Sequence, residues 1–120
     1  MLGAKDLGGS EYVVIYVHSK QDYVGNLDDF AQDHTDLLQE KLKTPQVEDP
    51  ATVSINGKPA VRQVVHGEID HLRITYRITY FEGQNNFYRV FCWSLESKAP
   101  AFASDFDKIA GSFREGKSNQ

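Results

Sequence analysis

The sequence predicts an α+β fold, an antiparallel β-sheet flanked by two main helices, and three features carry that expectation. Runs crowded with β-branched and aromatic residues, "EYVVIYVHS" and "RITYRITYFEGQNNFYRVFCW", read as strands. Two other stretches, near residues 27–42 and 97–113, space their apolar residues at helical intervals. Asn56-Gly57 is the pair best suited to the positive φ angles of a tight hairpin turn. The chain has 120 residues with 40% hydrophobic and 25% charged content, which fits one globular domain with a core of its own.

Residues 11–19 should form the first strand, apolar on both faces for most of its length. After the Gly25-Asn26 break, Asn26 or Asp28 can cap a helix whose Leu27, Phe30, Ala31, Leu37, Leu38 and Leu42 fall largely on one side. Pro45 marks its limit. "TVSINGKPAVRQVV" then gives two short strands joined at Asn56-Gly57.

Side chains alternate across a strand, so Leu72, Ile74, Tyr76, Ile78 and Tyr80 share one face, and Arg73, Thr75, Arg77, Thr79 and Phe81 the other. If "EGQNN" closes a hairpin with Tyr80 facing Tyr88, then Arg77 meets Phe91 and Thr75 meets Trp93. One face is then continuously apolar, and the other mixes Arg with Phe and Trp. In the last element, "SKAPAFASDFDKIAGSF", Ser97 can act as cap and Pro100 fits the first turn. Phe102, Phe106, Ile109 and Phe113 make the buried stripe, and Gly111 ends the helix.

"INGKPAVRQ", the pair of long strands after it, and a terminal helix closing in "IAGSF" resemble the PsbP-like fold family, which includes PsbP, Mog and DcrB-related proteins. The resemblance spans residues 11–113 and implies an α/β/α sandwich in a protein that works by binding partners, with no catalytic residues to carry over. Members of that family open with a further strand or hairpin bearing a Pro-Gly-Trp type segment, and "MLGAKDLGGS" offers nothing similar. Residues 1–10 are therefore expected to be a disordered or remnant segment, 11–113 the domain, and 114–120 a flexible tail.

Composition narrows the function. Thirteen basic against seventeen acidic residues, net charge −4, argue against a nucleic-acid partner. No stretch approaches the roughly 18 to 20 apolar residues of a membrane span, and no secretory signal is visible, which leaves cytoplasmic and extracytoplasmic locations both open. Cys92, the single cysteine, sits in an apolar run and reads as a reduced, buried thiol; a pairing with His18, His34, His66 or His71 would need tertiary proximity. No nucleophile elbow, phosphate-cradling loop or His-Glu-x-x-His helix is present, so neither catalysis nor a cofactor is expected.

Two clusters remain. The mixed face of Arg73, Arg77, Arg89, Phe91 and Trp93 offers forked donors beside aromatic rings and would suit an anionic ligand or acidic peptide, although Arg stems lying over a packed Trp would look the same. "HGEIDH" sets His66, Glu68 and Asp70 at alternate positions with His71 adjacent, a zinc or manganese donor set, although polar residues also belong in a turn there. The primary expectation is a non-catalytic binding or adaptor module that docks a protein partner or peptide on a sheet face or sheet–helix groove. The alternative is a small metal-dependent enzyme or ligand-binding domain using residues 66–71. The chain is expected to be a monomer, or a weak dimer through an open sheet edge.

Overall fold

A computed structural model describes residues 3–6 and 11–112. Strands β1 (Gly3–Asp6) and β2 (Glu11–Ser19) are followed by helix α1 (Leu27–Glu40) and the strands β3 (Lys43–Val47), β4 (Ala51–Ile55) and β5 (Lys58–Ile69). Strands β6 (Leu72–Glu82) and β7 (Asn86–Leu95) complete the sheet before helix α2 (Ala99–Gly111). The seven strands form one antiparallel sheet in the order β1-β2-β7-β6-β5-β3, and β4 pairs with the first half of β5 on the same side as β3. The expected α+β architecture is the one observed.

Local chemistry accounts for the element ends. Asn26 caps α1 through its side chain, which accepts from the Asp29 backbone N–H at 2.9 Å, and Asp29 reciprocates by accepting from the Asn26 N–H at 3.0 Å. At the β4–β5 hairpin, Asn56 and Gly57 take the positive φ values of 55° and 79° that their pairing predicts. Pro100 stands in the first turn of α2 and Gly111 is its last residue.

Four expectations are corrected. Residues 3–6, expected to be part of a disordered or remnant segment, form β1 along β2, where the backbone groups of a sheet edge recruit a further strand. Strand β3 went unforeseen because all five of its side chains are exposed and Pro45 interrupts it; such a strand buries no stripe, and proline is tolerated at an edge. Ser97 does not cap α2: it lies in a 3-10 turn, Glu96–Lys98, and Lys98 occupies the cap position. Finally, β5 runs through His66 and Glu68 to Ile69, so most of "HGEIDH" is strand and only Asp70-His71, with φ of 48° and 68°, makes the turn into β6. Phe113 and the expected tail at 114–120 lie outside the described residues.

The sheet is apolar on both faces. Helix α1 covers one with Phe30 and Ala31 packed on Val61, Val65, Ile78, Tyr80 and Phe87. Helix α2 covers the other with Phe106 and Ala110 on Ala60, Phe81, Tyr88, Val90 and Cys92. Within the described residues no helix is long and apolar enough to cross a membrane.

Candidate binding groove

The β6–β7 register decides which side chains share a surface. The connection is a two-residue turn at Gln84-Asn85, closed by the Gly83 N–H donating to the Asn86 carbonyl at 2.8 Å, and not the five-residue turn expected from "EGQNN". Tyr80 therefore faces Arg89, Ile78 faces Phe91, and Tyr76 faces Trp93. A shift of one residue turns every side chain of a strand to the other side of the sheet. The expected mixed face is thus divided: Arg73 and Arg77 point toward the α2 side, whereas Arg89, Phe91 and Trp93 point toward the α1 side.

On the α2 side the arginines are neutralised. Asp107 of α2 accepts from Arg77 Nε at 2.7 Å and Nη2 at 2.9 Å, and from Arg62 Nη1 at 3.0 Å. Burial alone would raise the Asp107 carboxyl, but these charge-assisted bonds outweigh it and hold the group below the ordinary carboxylate range. Arg73 donates to Glu96 at 3.2 Å and to the Thr44 hydroxyl at 3.2 Å.

His66 is also engaged on this side, with Glu48 2.7 Å from Nε2 and the Thr75 hydroxyl 2.9 Å from Nδ1. Glu68 stands opposite Arg73, and Asp70 and His71 occupy the hairpin turn. Among the described residues no three His, Cys, Asp or Glu side chains are arranged to hold a metal ion. Cys92 is buried beneath α2, where burial pushes its thiol up to about 12; His18 and His34 lie on the opposite side of the sheet.

The α1 side is different. Helix α1 sits over β5 and β6, which leaves a groove of about 510 Å³ between the helix and strands β7 and β2. Tyr76, Phe91, Trp93 and Tyr16 form its floor, and His34, Leu37, Leu38 and Lys41 line the helix wall. Leu37 is 54% exposed, and Ile69, at the far rim, is 39% exposed. The rings are ordered by one another: Tyr12 stacks on Trp93 at 5.2 Å, Phe91 meets Trp93 edge-on at 5.7 Å, and Tyr16 meets Phe91 edge-on at 6.1 Å.

Arg89 closes one end of this groove. Its guanidinium lies 4.3 Å above the Tyr16 ring centre, and its Nε–H donates to His18 Nε2 at 3.1 Å. Accepting at Nε2 keeps His18 neutral with its proton on Nδ1, and burial, then Arg89, then His34 lower its pKa to about 4. His34 Nδ1–H donates to the Phe30 carbonyl at 2.9 Å, and burial lowers its pKa also. Among the described residues no carboxylate pairs with Arg89. Sequence reasoning placed Arg89, Phe91 and Trp93 in a binding surface but missed Tyr16, His34, Leu37 and Tyr76, because nothing local reveals that β2 pairs with β7 or where α1 lies.

Structural comparison places this geometry in a known frame. Protein PA94 of Pseudomonas aeruginosa, of unknown function, superposes with a TM-score of 0.75 at 12% identity, over 92% of this chain and 77% of that one. The cyanobacterial PsbP (CyanoP) of Synechocystis sp. PCC 6803 superposes with a TM-score of 0.70 at 11% identity, over 93% and 72%. The fold is PsbP-like. No family profile and no curated protein sequence matches the chain. At such identities the likeness carries the PsbP-like frame of one sheet between two helices, and the groove is argued from this chain's own side chains.

Proposed function

We propose that the chain is a non-catalytic binding or adaptor module, and that the groove between α1 and the PsbP-like sheet docks a segment of a protein partner. The observation that supports this most directly is the partly buried aromatic floor beside an exposed Leu37, an apolar surface bordered by His34, Lys41 and Arg89. Concave apolar surfaces with a few convergent polar groups are the usual form of a binding site. An extended or helical segment can lay alternate apolar side chains into such a groove.

The test is a photo-crosslinking residue placed at Leu37 in the cells that make the protein, with a second placement at Asp105, which is exposed on α2. A discrete protein adduct from position 37 that is absent from position 105 supports the reading, and loss of that adduct on Phe91→Glu locates the contact. Equal labelling from both positions, or none from position 37, would rule it out.

A further inference from the structure

Every arginine among the described residues except one has a carboxylate partner. Arg62 and Arg77 share Asp107, and Arg73 is held by Glu96. Arg89 is half-buried among Tyr16, Phe91 and His18, and among the described residues its side-chain hydrogen bond goes to an uncharged imidazole. A guanidinium stays charged in this setting, since its ordinary pKa lies above about 12, and burial without a counter-charge costs free energy. Burial acts on it in the expected direction, lowering its pKa. Among the described residues the remaining donors of the fork have no carboxylate to meet.

The groove around it shares the same bias. Although the chain carries 17 acidic against 13 basic residues, the lining contains Arg89, Lys41 and His34 and, among the described residues, no Asp or Glu. In an acidic protein, the described lining of this groove thus carries no carboxylate, at the place where an arginine with no carboxylate partner among the described residues lies beside an aromatic floor.

From this complementarity we infer that the groove recognises a peptide segment in which one carboxylate lies among apolar side chains, the carboxylate taken by the Arg89 fork and the apolar residues by Phe91, Trp93 and Leu37. This rests on the docking role proposed above and specifies its partner. His18 is the positioning residue: as a neutral acceptor it holds the Nε edge of Arg89 and leaves the Nη donors for the ligand. The aromatic faces contribute area without charge preference, so the carboxylate supplies the discrimination.

The experiment uses the full chain as bait for a displayed library of random peptides, selected in parallel on wild type, Arg89→Gln and Leu37→Glu. Wild type should enrich peptides with Asp or Glu flanked by Leu, Phe or Trp, and Arg89→Gln should enrich apolar peptides without the acidic preference. For a selected peptide, synthesised with Glu and with Gln at the acidic position, the Trp93 emission titration on wild type should show at least about tenfold tighter binding of the Glu form, the scale of one charge-assisted contact. This last comparison needs no variant to fold. Apolar enrichment with equal affinity for the Glu and Gln forms overturns the carboxylate inference and leaves the docking role standing. Enrichment on wild type no different from that on Leu37→Glu overturns both.

Discussion

His18 shows how a single side chain links the groove to solution conditions. Its folded pKa is about 4, below the usual 6.5, because it is partly buried and faces Arg89 and His34. Between those values the unfolded chain binds a proton that the folded chain refuses, so stability is full above pH 6.5 and falls as pH drops toward 4. His34 shifts in the same direction. The urea midpoint should therefore be lower at pH 4.5 than at pH 7, and His18→Gln, whose amide oxygen can accept from Arg89 but does not titrate, should reduce that difference. An unchanged pH dependence in the variant would assign it to other groups. Cys92, by contrast, is chemically quiet at this scale: its raised thiol pKa and its burial leave no thiolate near neutral pH.

At the scale of elements, helix α1 is positioned by a few specific contacts whose failure would alter the groove wall. The Thr35 hydroxyl meets the Tyr80 hydroxyl at 3.0 Å, both fully buried, and this pair fixes the helix over β6. The chain leaving α1 passes over Gly67 of β5, where a Cβ would stand 2.7 Å from Leu42 atoms. Gly67 is thus required by close approach, and Leu42 is itself buried in the α1-side core. Gly67→Ala should destabilise by about 1–3 kcal/mol, the range for overpacking a filled core, read as a drop in urea midpoint at unchanged slope. A neutral outcome would mean that Leu42 can move aside. "HGEIDH" belongs to this scale too: its glycine serves packing, its Asp70-His71 the turn, and its His66 a bond to Glu48.

Across the whole molecule, the sheet separates two helix layers held by different chemistry. Helix α1 rests on aromatic and aliphatic packing with one neutral hydroxyl pair, Thr35–Tyr80, whereas α2 adds the Arg62–Asp107–Arg77 ion cluster to its Phe106 and Ala110 contacts. Asp107→Asn should weaken the charge-assisted bonds and raise amide hydrogen exchange in α2 while leaving exchange in α1 near wild type. Equal acceleration in both helices would show that the layers open together. The groove and the ion cluster lie on opposite sides of the sheet, so the same variant should leave peptide binding unchanged.

The α+β class, the position of α1, the Asn56-Gly57 hairpin, the alternating faces of β6 and the buried state of Cys92 are legible in the residues alone, because each follows from local periodicity, capping or turn chemistry. It also placed Arg89, Phe91 and Trp93 in a candidate surface. Tertiary structure alone decided their neighbours. The two-residue turn at Gln84-Asn85 changed the parity of the β6–β7 register, sending Arg73 and Arg77 to carboxylates under α2 and Arg89 to an aromatic groove beside α1. Residue spacing cannot report that choice, because a strand with apolar residues on both faces fits a buried sheet in either parity, and only the packing of two helices on opposite sides tells the faces apart.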